Sequence, residues 1–190
     1  MIGKKNTKWL RHGEKTLLGI AMAAGGNAYG AKDGKHQSLA VLRSFRNVKL
    51  NTVHDGTLAP DFDTLIPIVF SHGISSNRTM HSGTCRDFAS HGYIVFIMDH
   101  KDGTASYCQT ASGERPMYYD NSRECYDLGF RKEQLAIRTI EVIAFIDQLH
   151  ENNGKTMTAK LGFPSSVSLD LSKLIVSGHS CGGGTVINSA

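Results

Sequence analysis

The chain holds only four prolines and one tryptophan in 190 residues, and its four cysteines, Cys85, Cys108, Cys125 and Cys181, never fall into a C-x-x-C pair. That excludes a proline-rich linker protein and a disulfide-dense miniature scaffold. No histidine pair stands at zinc-ligand spacing beside the cysteines, so no metal and no cofactor site is expected, and each thiol reads as a small buried hydrophobe. No apolar run approaches the roughly twenty residues of a membrane span. Charge of one sign is also scarce: 21 Lys and Arg against 17 Asp and Glu leave +4, concentrated near the start of the chain. Beyond Asp55 acids and bases interleave, and no aromatic-studded basic stripe appears, which argues against nucleic acid as a partner. Repeats and low-complexity tracts are missing too.

What remains is 40% hydrophobic and 20% charged, the composition of one ordinary globular domain. Three short β-branched runs, Leu65 to Ser71, Tyr93 to Met98 and Lys173 to Ser177, are almost continuously apolar. Such runs suit parallel strands covered on both faces. Pro67 cannot donate to a ladder and is therefore expected at the start of its strand. Thr79 to His91 has helical spacing and stops at Gly92. Arg131 to His150 reads as a long helix that buries Leu135, Ala136, Ile140, Ile143, Ala144, Ile146 and Leu149 and turns Gln134, Arg138, Glu141 and Gln148 to water. Asn152, Asn153 and Gly154 should end it. Strand, helix, strand, long loop, helix, strand predicts an α/β fold with a mostly parallel sheet and crossover helices. The connection from Lys101 to Phe130 is too long for a plain turn, and its Tyr107, Tyr118, Tyr119 and Tyr126 are either pocket wall or packing.

Residues 1 to 60 form a basic N-terminal segment, and 61 to 190 the α/β core. Within the first, Thr16 to Gly26 has the outline of a secretory signal peptide, leaving a cytoplasmic or a secreted location open. Trp9 to Ala24 also fits an interfacial helix, with Trp9, Leu10, Leu17 and Ile20 toward a membrane or lipoprotein surface and Lys4, Lys5 and Lys8 at the lipid headgroups. A third reading has its apolar stripe covering the core.

The chemistry is read at the end of the third strand, in Gly178-His179-Ser180-Cys181-Gly182. A serine on a sharp strand-to-helix turn has an exposed hydroxyl, and the flanking glycines leave room for neighbouring backbone. Ser180 is the expected nucleophile. An ester carbonyl attacked there needs backbone donors for its oxyanion, and Cys181 and Ile74, the latter after Ser71-His72-Gly73, are the candidates. His72 reads as an imidazole that stabilises the turn, and His179 as tied to the elbow.

Leu65 to Gly73, Arg78-Thr79, Ala89 to Val95, Asp99 to Ser106 and Gly178 to Ile187 together resemble the platelet-activating factor acetylhydrolases in order and spacing, over about 125 of the 190 residues. The resemblance implies an α/β-hydrolase fold and a calcium-independent, phospholipase A2 type of serine esterase. It implies an enzyme that removes sn-2 acetyl or short acyl groups from a phospholipid substrate in lipid catabolism. It also implies Ser180 as nucleophile and the Ile74 and Cys181 amides as oxyanion donors, although a bulkier aromatic residue is the family's usual choice after the serine. In such hydrolases the acid and the base follow the nucleophile, yet no Asp, Glu or His follows Ser180 here. The triad Asp and His are absent, strands are missing at both ends of the sheet, and the expectation is a fragment that is inactive alone and exposes a sheet edge. Two alternatives are another carboxylester or polyester hydrolase, and a lipid-binding remnant without activity.

Overall fold

The computed structural model describes residues 7–10, 12–23, 44–53, 55–59, 62–109, 117–120, 122–123 and 127–190. In chain order the elements are β1 (Thr7–Lys8), α1 (Gly13–Ala23), β2 (Lys49–Leu50), β3 (Thr64–Ser71), α2 (Ser82–Ser90), β4 (Tyr93–Met98), β5 (Tyr107–Cys108), β6 (Met117–Tyr118), α3 (Leu128–His150), α4 (Lys155–Lys160), β7 (Ser168–Leu169), β8 (Ile175–Gly178) and α5 (Cys181–Ser189).

β3 is the axis of an α/β fold. It pairs in parallel with β4 from Ile66↔Tyr93 to Ser71↔Met98, and on its other flank with β7 and then β8, from Ile68↔Ile175 to Ser71↔Gly178. The three expected strands and their parallel pairing are present. Pro67 corrects its expected place: it lies inside β3. The Leu65 carbonyl accepts from the Asp170 amide and the Ser71 carbonyl from the His179 amide, so strand alternation turns the Pro67 nitrogen to that same flank. There β7 has ended and β8 has not begun, and no ladder bond is lost.

One sheet face packs on α3. Leu65 and Val69 join Val142, Leu149, Met157, Val167 and Leu169 in the main apolar cluster, and Phe96 meets Phe145 at 5.4 Å. On the other face Phe70 lies against His81 at the head of α2, 5.1 Å between rings. α3 ends where Asn152 and Asn153 take φ of 51° and 50°, left-handed values that asparagine tolerates best after glycine. Its burial corrects the sequence reading. Gln134 and Arg138 are 2% and 0% exposed, whereas Ile140 is 68% and Ile143 43% exposed. The helix lies with Phe130, Gln134, Arg138, Val142 and Leu149 inward, because polar groups beneath it accept from Gln134 and Arg138.

The long connection after β4 is locally structured: β5 and β6 form a ribbon, with Tyr107 opposite Tyr118. α1 packs on it so closely that a Cβ at Gly19 would lie 1.5 Å from the Ser106 carbonyl oxygen. β1 and β2 pair antiparallel, Thr7 opposite Leu50. Among the described residues no helix is long and apolar enough to cross a membrane.

Candidate active site

β8 delivers the chain to Ser180, and α5 leaves from it. Ser180 has φ 56° and ψ −120°, a combination that costs an L-residue about 1–3 kcal/mol. The turn is possible because of its glycines. A Cβ at Gly178 would meet the Gly182 carbonyl carbon at 2.4 Å, and one at Gly182 would meet the Ser71 carbonyl oxygen at 2.1 Å. The Gly182 amide donates to the His179 carbonyl at 2.9 Å and the Gly183 amide to the Ser180 carbonyl at 2.9 Å. The serine that this turn carries is exposed.

The end of β3 lies against the elbow. The His179 amide donates to the Ser71 carbonyl at 3.1 Å, and a Cβ at Gly73 would stand 3.2 Å from the Ser180 Cβ. Past Gly73 the loop folds over Ser75, itself at φ 55°. The Ser75 amide donates to the Thr104 carbonyl and the Ser106 amide to the Ser76 carbonyl, both at 2.8 Å, lacing this loop to the one after β4. Among the described residues neither the Ile74 amide nor the Cys181 amide, the first of α5, has an acceptor in the protein.

Behind the loop sits a buried polar cluster that sequence reasoning missed. The Ser71 hydroxyl is 2.8 Å from His100 Nε2, and His100 Nδ1 is 2.8 Å from Glu141 Oε2. With Nδ1 donating to the carboxylate, Nε2 faces the hydroxyl, the geometry of a hydrolytic triad. Ser71 and His100 are both 0% exposed, so no substrate reaches them. His72 accepts at Nε2 from the His100 amide at 3.2 Å, which places its proton on Nδ1, where it donates to the Gly73 carbonyl at 2.7 Å. It stabilises the turn, as read from the sequence. Burial first, and the Arg138 guanidinium second, hold its pKa well below the usual histidine value. Arg138 donates from Nε to Asp102 Oδ2 and from Nη1 to the His72 carbonyl, both at 2.7 Å, and from Nη2 to the Thr104 hydroxyl. The signals for this cluster were the His-x-Asp at 100–102 and two charges on α3, but helical periodicity turned those charges outward.

His179 is exposed, its ring 5.2 Å from that of His81, whose Nε2 is 3.1 Å from the Ser76 hydroxyl. Burial and then His179 lower the pKa of His81. The described tyrosines pack: Tyr107 is 3% and Tyr119 6% exposed, and Lys15 lies over the Tyr107 ring. Tyr126 lies outside the described residues. Leu10, which precedes α1, and Leu17 within it are both buried against the protein, which corrects their reading as a lipid-facing stripe. Trp9 stacks edge-on against Phe45 at 6.1 Å, Ile20 is half-buried and Lys8 exposed. Lys4, Lys5 and residues 24 to 26 fall outside the described residues. Cys85, Cys108 and Cys181 are free thiols, and burial pushes the first two up to about 11. Cys125 is outside the described residues. No group of three metal-ligating side chains occurs among the described residues.

Comparison with known proteins identifies the family. The family model described as platelet-activating factor acetylhydrolase, isoform II, matches residues 6–190. A platelet-activating factor acetylhydrolase of Bos taurus is 31% identical over 137 residues, 64% of this chain and 31% of the relative. One of Cavia porcellus is 34% identical over 140 residues, again 64% and 31%. A putative phospholipase A2 of Schizosaccharomyces pombe is 28% identical over 176 residues, 76% and 40%. The chain thus spans about a third of the length of the curated relatives it matches. With the family match running from the first ribbon through the elbow to the last helix, the chain belongs to the platelet-activating factor acetylhydrolase, isoform II, family.

Proposed function

We propose that the chain carries the nucleophile of a serine esterase that acts on phospholipids and removes an acetyl or short acyl group from the sn-2 position. The observation that carries this reading is Ser180, strained at φ 56° on an exposed strand-to-helix turn, with the backbone of Gly73 packed against it. Strain at one residue, held by close glycine contacts on both sides, is how a fold presents a reactive hydroxyl.

In the proposed reaction the Ser180 oxygen attacks the ester carbonyl, and the oxyanion takes hydrogen bonds from the free amides of Ile74 and Cys181. Collapse expels the lysophospholipid alcohol and leaves an acyl-enzyme on Ser180, which water then cleaves. The step needs a base to take the hydroxyl proton. Names borne by the relatives, acetylhydrolase and phospholipase A2, support the substrate class.

The test is labelling with a fluorophosphonate, mapped by mass spectrometry on the folded chain. The expected adduct is on Ser180, is lost in Ser180→Ala, and is slowed by phosphatidylcholine with a short sn-2 chain but not by its dipalmitoyl counterpart. Competition by small soluble esters alone would assign a general carboxylester hydrolase instead. A folded chain modified elsewhere and never at Ser180 overturns the reading.

A further inference from the structure

The polar face of α3 reaches through the protein to the loop that carries Ile74. Gln134, Arg138 and Glu141 stand at i, i+4 and i+7, one stripe of the helix. Gln134 Nε2 donates to the Asp102 carbonyl at 2.9 Å. Glu141 accepts from His100 Nδ1 and, at 3.2 Å, from the Lys101 amide. Between them Arg138 binds the His72 carbonyl, the Asp102 carboxylate and the Thr104 hydroxyl at once, and Asp102 Oδ1 accepts from the Thr104 amide at 3.0 Å and its hydroxyl at 2.6 Å.

We infer that Arg138 is a positioning residue for the oxyanion site, fixing the His72–Ile74 backbone against Ser180 without touching substrate. The inference rests on the reading of Ile74 as an oxyanion donor. His72 is the peptide between the strand end and Gly73, and its carbonyl is gripped at 2.7 Å from beneath while Gly73 faces Ser180 from above. The same guanidinium holds Asp102 and Thr104, and the Thr104 carbonyl receives the Ser75 amide on the far side of Ile74. Ile74 therefore hangs between two anchors that share one side chain. The Ser71–His100–Glu141 relay fixes the near end of the same segment. An arginine suits the task because its planar fork meets three acceptors at fixed angles, whereas a lysine ammonium would keep the charge and lose the geometry. The guanidinium and the Asp102 side chain are both 0% exposed, so the pair is a costly one to bury and its partners fix its place.

Two readouts on the 190-residue chain test this, one independent of chemistry. In Arg138→Lys, hydrogen exchange of the Ser75, Ser76 and Ser106 amides is expected to accelerate at least tenfold, with the β3 and α3 core amides unchanged. Fluorophosphonate inactivation should lose about tenfold in its limiting rate at saturating reagent, with little change in the concentration giving half that rate. Should Arg138→Lys fail to fold, Thr104→Val decides, since it removes one anchor with a side chain of similar volume. Unchanged exchange and unchanged limiting rate in a folded variant overturn the inference, as does exchange that rises equally throughout the molecule. If the parent chain is never labelled at Ser180, the functional reading has failed, and exchange at Ser75, Ser76 and Ser106 alone decides whether Arg138 holds the loop.

Discussion

Ser180 is the residue at which sequence, strain and proposed chemistry meet. Its φ of 56° lies where glycine is at ease and serine is not, and the conformation persists because β8 and α5 determine it from both sides. Replacing Ser180 by glycine is therefore expected to stabilise the fold by about 1–3 kcal/mol, while abolishing fluorophosphonate labelling. Urea unfolding of both proteins measures it; a variant no more stable than the parent would mean that the turn is unstrained. The elbow was legible in the sequence because its constraint is local: glycines two residues either side of a serine, after a strand. His72 was legible for the same reason, since its ring bonds the carbonyl of the next residue. His100, Asp102, Arg138 and Glu141 were not, because their roles depend on partners 28 to 66 positions away in sequence. Buried ion pairs break the pattern that helical periodicity detects.

At the scale of elements, α3 shows how far that goes. The apolar positions that favoured one face include Ile140, which the structure leaves exposed, and the inward line follows Phe130, Gln134, Arg138, Val142 and Leu149. A helix turned by its polar anchors needs its start fixed as well. Asp127 does so, its Oδ1 accepting from the Phe130 amide at 3.0 Å. Asp127→Ala should cost about 1 kcal/mol, read as a lower melting temperature by circular dichroism with the elbow and its labelling intact. A loss well under half of that would place the helix start under tertiary control alone. The strands were legible because β-branched apolar runs report burial on both faces, and the parallel order followed from the intervening helices. Pro67 was misplaced because its tolerance comes from the handover between β7 and β8, which no local pattern contains.

For the molecule as a whole, acid is the condition that the buried site resists least. His72 is 0% exposed, and burial, with Arg138 and His100 near it, keeps its pKa well below the 6.5 of a free histidine. His81 is lowered as well, by burial and by His179. A histidine held neutral in the fold binds its proton more readily once unfolded, so its contribution to stability is fully present above pH 6.5 and is lost as pH falls through the folded value. Each such group contributes a slope of up to about 1.4 kcal/mol per pH unit. Asp99 acts the other way: burial raises its pKa despite Arg78, so the folded protein takes up its proton first and gains slightly, nearer the carboxylate range. The expected outcome is a denaturation free energy that is flat from pH 8 to 6.5 and falls steadily from there to pH 5. His72→Gln, whose amide offers a donor and an acceptor in place of the two ring nitrogens, should remove one proton's share of the slope. A parent protein equally stable at pH 5.5 and 7.5 would mean that His72 is not held neutral by its burial. It would also remove the physical ground for treating the polar cluster beneath the elbow as one closed, desolvated unit.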